Sequence, residues 1–286
     1  MQSVGLIGVG LLGSAIADRY IQAQVAVLAY DVNPRNLHAL SELGGQIADS
    51  SASVFQQCSR VIFSLPNSDI VREVVVASRV HLRPGGVILD TTTGDPLSTE
   101  SLAMDLANIG VTYLDTTVVG SSEQLRRGEA TLLVGGAEDS ILLIRPLLEI
   151  LASKIFFIGP VGSAAKMKLV VNLAIGLHRA VLAESLALAN ALGLDLEKAL
   201  EAMIGSPAYS TMMETKGQKM LRGDFTPQAR LAQHRKDVQL MLQSAHKAGV
   251  NLPLSTTHFG LLNDLIAAGY GDLDNSSIIR AYLQAR

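Results

Sequence analysis

The stretch that most limits what this chain can become is residues 3–22, SVGLIGVGLLGSAIADRYIQ. A short apolar run suited to a β-strand ends at Gly8. Two more glycines follow at 10 and 13, and a helical pattern runs from Leu11 to Gln22. Three glycines in G-x-G-x-x-G register are weak evidence alone, but the strand before them and the helix after them supply the context the motif requires. Gly8 permits a tight turn, Gly10 lets backbone approach a pyrophosphate, and Gly13 allows the helix to pack closely on the strand. The helix start around Leu11 and Leu12 offers unpaired N–H groups to an anion. Asp31 closes the second strand in LAYDVNPRN, where an acid that binds a ribose is expected. Together these features predict a dinucleotide site, against the alternative of a purely structural turn.

Asp31 also bears on cofactor choice. Its carboxylate suits the adenosine ribose hydroxyls and repels a 2′-phosphate, by about 4 kcal/mol for unit charges ~4 Å apart at intermediate dielectric, before screening. NAD is therefore expected over NADP, although Arg35 nearby offers a phosphate a partner.

The chain has two textures. Through about residue 160, strand candidates at 3–8, 25–30, 60–65, 86–91, 111–115, 130–136 and 154–159 alternate with helical patterns. This is the order of βαβ units around a mostly parallel, doubly wound sheet. After Gly162 the strand signal vanishes. An Ala/Leu-rich helix is expected over 163–192, with further helices near 195–204, 228–248 and 255–268. The predicted architecture is an α/β Rossmann-type domain, residues 1–161, followed by an all-α substrate and oligomerisation domain, residues 162–286, entered through a long interdomain helix.

Composition narrows the partners. The net charge of −3 gives no case for nucleic acid, though residues 1–160 carry −6 and residues 161–286 carry +3. A mildly basic second half suits an anionic ligand. The one cysteine, Cys58, excludes an internal disulfide framework and fits a reducing, cytoplasmic setting. The six histidines are dispersed, so no metal site is expected. The apolar start lacks a basic leader region. The apolar stretch 161–194 is interrupted by Lys166, Lys168, His178, Arg179 and Glu184, which argues against a membrane span.

Three further segments attract chemistry. SLPNSD and LDTTTGDP place Leu65–Pro66 and Thr91–Thr93 just beyond strand ends, where ligands of open α/β sheets bind. Ordinary turn chemistry explains the same residues equally well. In GPVGSAAKMKLVVNLAIG, Lys168 and Asn172 are four apart and share a helix face, whereas Lys166 points elsewhere. Lys168 is either a solvated lysine or one partly buried, with a pKa lowered towards neutrality and Asn172 as its neighbour.

In this order the motifs resemble the β-hydroxyacid dehydrogenase family, the group that contains 3-hydroxyisobutyrate dehydrogenase, tartronate semialdehyde reductase and the glyoxylate/succinic semialdehyde reductases. The resemblance covers essentially the whole chain. It implies cofactor contacts from Gly8–Gly13, then Leu65, Pro66 and Thr93 on the nicotinamide side, and Lys236 in HRKDVQLM, with Asp237 supporting the site. It implies a catalytic Lys168 and Asn172, with Val171 replacing the first Asn of the family's K-x-x-N-N. LDTTVVGSSEQLRRGEATLLVGG resembles the substrate signature, usually D-A-P-V-S-G-G. Here Val119 stands where the family has its substrate-binding serine, and Gly120, Ser121 and Ser122 are left to hold a carboxylate.

The resemblance implies reversible hydride transfer between NAD(P) and a small β-hydroxy acid or its semialdehyde, with Lys168 as general acid/base, in a homodimer or homotetramer. Two other readings stay open. An imine reductase shares the architecture but usually has another residue at the lysine position. A cofactor-binding sensor without turnover would have lost its substrate loop. The helical half is too short for a 6-phosphogluconate dehydrogenase.

Overall fold

A computed structural model of the chain describes residues 3–283. Residues 1–2 and 284–286, the outer ends of the expected domain ranges, lie outside the described residues. The chain divides into two compact units between Lys168 and Leu169, a few residues beyond the 161/162 boundary read from the sequence.

The first unit is built on eight strands. In chain order its elements are β1 (Val4–Ile7), α1 (Leu11–Gln22), β2 (Val27–Tyr30), α2 (Pro34–Glu42), β3 (Gln46–Ile47), α3 (Ser51–Gln57), β4 (Arg60–Phe63), α4 (Ser68–Ala77), β5 (Val87–Asp90), α5 (Pro96–Ala107), β6 (Thr112–Val119), α6 (Ser122–Arg126), β7 (Thr131–Gly135), α7 (Glu138–Leu151) and β8 (Lys154–Gly159). The strand order is β3-β2-β1-β4-β5-β6-β7-β8. All neighbours run parallel except β6 and β7. The chain is an α/β protein with a Rossmann-type doubly wound sheet, as its sequence pattern predicts.

Alternation along the strands explains the two cores. Val4 and Leu6 of β1 join Ile62 of β4 in a layer with Ile16 and Tyr20 of α1 and Ile144 and Leu148 of α7. Ile7, Val61 and Phe63 point the other way, into a layer with Phe55, Val71, Val75, Leu102 and Leu106 of α3, α4 and α5. A sheet buried on both faces needs apolar residues at successive positions, which β1 and β4 supply. Strand order reverses between β1 and β4, so loops leaving these strands part and open a crevice.

The second unit is helical: the rest of α8 (Ser163–Ala191), then α9 (Leu196–Ile204), α10 (Thr211–Arg222), α11 (Leu231–Lys247), α12 (Pro253–Ala267) and α13 (Arg280–Leu283), with a short 3₁₀ turn at Asn275–Ile279. Helix α10 and the 3₁₀ turn have no counterpart among the sequence expectations. The α10 sequence TMMETKGQKMLR is polar, with a central glycine. That glycine lets Leu200 pack closely: a Cβ at Gly217 would sit 2.7 Å from the Leu200 methyl groups.

This unit also buries charge. Asp274 is fully buried and accepts both from Lys216 Nζ, at 2.9 and 3.0 Å, and from the backbone N–H groups of Gln228, Ala229 and Ser276. Burial alone would raise its pKa, but Lys216 and these donors outweigh burial and hold it at about 2. Among the described residues, α8 is the one helix whose length and mean hydropathy of 1.4 suffice to cross a membrane, and a core helix meets the same criteria. Lys168 and Arg179 on α8 are both buried.

Candidate active site

The turn after β1 adopts the geometry its glycines predict. Gly8 has φ +93°, and a side chain there would lie 2.3 Å from the carbonyl oxygen of Ser64, at the end of β4. A side chain at Gly13 would strike the Gly8 carbonyl at 2.1 Å, so α1 sits directly against the turn. Gly10 is different, because a Cβ there meets nothing within 4 Å. Open space therefore lies beside Gly10, the helix N-cap, and no side chain caps α1 or puts an acid in its first turn. Uncapped amides facing open space fit a pyrophosphate. Leu11 is 47% exposed, whereas the Leu12 side chain packs against the first core.

Asp31 is tied into the same turn. Its Oδ2 accepts from the Val9 N–H at 2.6 Å and its Oδ1 from the Asn33 N–H at 2.7 Å. The carboxylate thus fixes the glycine loop and the start of α2 while keeping lone pairs for further donors. Arg35 is exposed in the first turn of α2.

On the other side of the crevice, Leu65 and Pro66 follow β4 and Thr93 follows β5. The Leu65 N–H donates to Thr92 Oγ1 at 3.2 Å, so the two loops are joined.

Strand β6 and the start of α8 hold the lysine. The sequence reading ended this strand at residue 115, but it continues to Val119 by pairing antiparallel with β7. Thr116–Val119 therefore belong to a strand, and the loop reduces to Gly120 and Ser121. Asp115 Oδ2 accepts from the Ala165 N–H at 2.9 Å, and Thr117 Oγ1 donates to the Ala164 carbonyl at 3.4 Å. Asp115 thereby caps the first turn of α8 from fifty residues away. Burial raises its pKa, while the amides of Ala165, Gly162 and Ala164 pull it back down. Lys168, one turn further, is 7% exposed and its Nζ donates to the Val118 carbonyl. Lys166 turns outward to Glu100 at 2.7 Å.

Residues after β6 are also fixed. Ser121 caps α6, accepting from the Gln124 N–H at 3.2 Å, while Gln124 Oε1 accepts from the Ser121 N–H at 2.8 Å. The Ser121 hydroxyl is thus partly committed to its helix, and Ser122 is buried. Gly120 has φ +137° and Val119 is half-buried.

Asn172, Lys236 and Asp237 are grouped in the second unit. Asn172 Nδ2 donates to Asp237 Oδ2 at 3.2 Å, and Lys236 Nζ lies 3.7 Å from Asp237 Oδ1. Asp115 is the functional-site residue that sequence reasoning passed over. It stands in the quoted LDTTVVG segment, but its partner is fifty residues distant and no local pattern links them.

A glycine turn open to an anion, a carboxylate just after β2 and a buried lysine beside β6 fit an NAD(P)-dependent oxidoreductase. Comparison with known proteins narrows this. Residues 3–159 match the NAD binding domain of 6-phosphogluconate dehydrogenase, and residues 162–282 match the NAD-binding region of NADP-dependent 3-hydroxyisobutyrate dehydrogenase. The chain is 30% identical over 285 residues to 2-(hydroxymethyl)glutarate dehydrogenase of Eubacterium barkeri, covering 98% of this chain and 95% of that one. It is similar to the crystal structure of 3-hydroxyisobutyrate dehydrogenase from Salmonella typhimurium, with a TM-score of 0.90, 26% identity, and 98% and 99% of the two chains covered. An imine reductase from Pseudomonas sp. shares the fold at a TM-score of 0.69 and 20% identity, over 98% of this chain and 99% of that one. The chain belongs to the β-hydroxyacid dehydrogenase family. It is an enzyme that acts on CH–OH groups with NAD(P), and the imine reductases are more distant from it.

Proposed function

We propose that the chain interconverts a small β-hydroxy acid and its semialdehyde, with Lys168 as general acid/base and NAD as preferred cofactor, in the cytoplasm and independently of membrane or nucleic acid. The observation that carries the lysine assignment is its burial: a primary amine 7% exposed, at the opening of a helix capped by Asp115, beside the strand that ends in the substrate loop. Gly8, Gly10, Gly13 and the N–H groups of Leu11 and Leu12 would hold the pyrophosphate. Asp31 would hold the ribose, and Leu65, Pro66, Thr93 and Lys236 the nicotinamide side. The bound cofactor supplies the hydride acceptor or donor. Neutral Lys168 takes the hydroxyl proton of the alcohol, and its ammonium form returns a proton to the carbonyl oxygen. Asn172, held by Asp237, orients the lysine or the substrate oxygen. Gly120 and Ser122 hold the carboxylate chiefly through backbone N–H groups, and Ser121, whose own N–H is taken by Gln124, through its hydroxyl.

Lys168→Ala is expected to lower kcat by about 10²–10⁴-fold, the usual contribution of a general acid–base group. Cofactor affinity should stay within a few-fold. Lys166→Ala, on the Glu100 side, is expected to change little. Equal losses from the two variants in steady-state assays would reject the assignment.

Asp31 favours NAD because a 2′-phosphate brought to its carboxylate meets a second anion. The ratio of kcat/KM values for NAD and NADP should favour NAD, and Asp31→Ser should move it towards NADP, with Arg35 available as partner. A wild type that prefers NADP would reject this reading.

The substrate class follows from Val119. It lies on the same side of β6 as Asp115 and Thr117, the side that meets α8, because alternate residues of a strand share a face. An apolar side chain there cannot satisfy a polar group, and leaving one unpaired costs about 1–3 kcal/mol. Less polar C4–C5 hydroxy acids or semialdehydes should therefore be turned over better than tartronate semialdehyde. Val119→Ser should shift the kcat/KM ratio towards the polar substrate. An unchanged ratio, with tartronate semialdehyde already preferred by wild type, would remove Val119 from the pocket.

Val170, Val181 and Leu188 on α8 are 63%, 56% and 60% exposed and fall on one helix face. An apolar stripe of this kind calls for a partner, and a second copy in a homodimer or homotetramer is the commonest one. Light scattering should report a mass above 30.3 kDa. A monomer at micromolar concentration would dismiss the interface.

A further inference from the structure

Asp90 ends β5 and is 5% exposed, and among the described residues it forms no ion pair. Its Oδ1 accepts from the Thr92 N–H at 2.9 Å, and its Oδ2 accepts from the hydroxyl of Tyr113 on β6. Tyr113 is 4% exposed and packs in the second apolar layer, so its hydroxyl is a buried polar group, and Asp90 is what satisfies it. From Asp90 the ties run outward. Thr92 Oγ1 accepts from the Leu65 N–H at 3.2 Å, and Thr91 Oγ1 donates to the Phe63 carbonyl at 2.6 Å. The ends of β4 and β5 are thus stitched together immediately before Leu65–Pro66 and Thr93.

We propose that Asp90 and Tyr113 are a positioning pair that sets the nicotinamide side of the cofactor site by holding these two loops in register. The proposal rests on assigning Leu65, Pro66 and Thr93 to that side. Neither residue of the pair is assigned to the cofactor: Asp90 acts through Thr92, and Tyr113 through Asp90.

The pair makes the loops sensitive to acid. A carboxylate accepts from Thr92 and Tyr113 at once, whereas a protonated Asp90 turns one acceptor into a donor that must find a new partner. The groups facing it are Tyr113 and Asp115 of β6, with Arg72 of α4 lining the same small cavity beside Ser98 and Thr99 of α5. Burial pushes Asp90 up to about 6, with the charge of Asp115 adding to the rise and the bonds from Thr92 and Tyr113 opposing it. The tie is therefore intact at neutral pH and loosens as pH falls through about 6.

The test compares NAD⁺ with ADP-ribose, which lacks the nicotinamide, by calorimetric titration of the full chain between pH 5.5 and 8. In wild type, NAD⁺ affinity should fall on the acid side while ADP-ribose affinity changes less. Tyr113→Phe should weaken NAD⁺ binding about tenfold, the scale of one hydrogen bond to a charged group, and leave ADP-ribose within about twofold. It should also move the acid inflection to higher pH, because the lost bond had favoured the carboxylate. Asp90→Asn should weaken NAD⁺ selectively and abolish the inflection. Equal effects on both ligands, or an inflection that does not move in Tyr113→Phe, would overturn the proposal. Thr93→Ala tests the underlying assignment separately. If it leaves the NAD⁺ to ADP-ribose ratio unchanged, the loops do not serve the nicotinamide and the proposal falls with them.

Discussion

The contact on which the placement of Lys168 depends is the one between Asp115 and the first turn of α8. A helix of 29 residues begins with amides that lack intrahelical partners, and no acid stands in its own first turn. Asp115, 2% exposed, supplies the acceptor from β6. The helix amides compensate part of the cost of burying a carboxylate, and the positive end of the helix dipole adds to that. The space for this carboxylate comes from β7, where any side chain at Gly135 would lie 2.3 Å from Asp115 Oδ1. Once cap, strand and helix are fixed, Lys168 has little freedom. Its position one turn into α8 brings its amine to the Val118 carbonyl of the same strand.

The parts of this arrangement that were legible in the sequence are those encoded locally. A strand, three glycines, a helix and an acid occupy residues 4–31, and Gly13 packs against Gly8 within that span, although Gly8 itself packs against Ser64 beyond β4. The Lys168–Asn172 spacing was legible for the same reason, since a helix repeats every 3.6 residues. The extension of β6 to Val119 was not. Thr116–Thr117–Val118–Val119 looks like the start of a loop until β7 turns back to pair with it, and that pairing is a tertiary event. Helix α10 was missed because its stability comes from Met213 and Met220 packing into the helical core, not from its own propensity.

Buried polar groups were the least visible features. Arg179, His234 and His258 are residue types usually found at the surface, yet all three are buried. They meet where α8, α11 and α12 pack, with His234 Nε2 at 2.9 Å from His258 Nε2 and at 3.4 Å from Arg179 Nη2. With the guanidinium donating, His234 Nε2 is the acceptor and His258 carries the proton on its own Nε2. Gly176 makes room, because a side chain there would lie 2.7 Å from the His234 ring. His234 is one turn before Asp237 on α11, and Gly176 is one turn after Asn172 on α8. The cluster therefore fixes the same two helices that the Asn172–Asp237 bond joins.

Burial of titratable groups has opposite consequences in the two units. In the first, Asp90 is raised to about 6 from an unfolded value near 4, so the folded state binds a proton first and gains stability as pH falls through that interval. In the second, His258 is lowered to about 4, by burial first and the charge of Arg179 second, from an unfolded value near 6.5. There the unfolded state binds the proton first, so stability is lost over the same acid range. His234, buried beside the same guanidinium, adds to that loss. Mild acid thus strains the unit that carries Asn172, Lys236 and Asp237 while protonating Asp90 in the unit that carries the glycine turn. The constraint is common to both: a site assembled from buried polar groups holds its geometry only while each group keeps the protonation state for which its partners were placed.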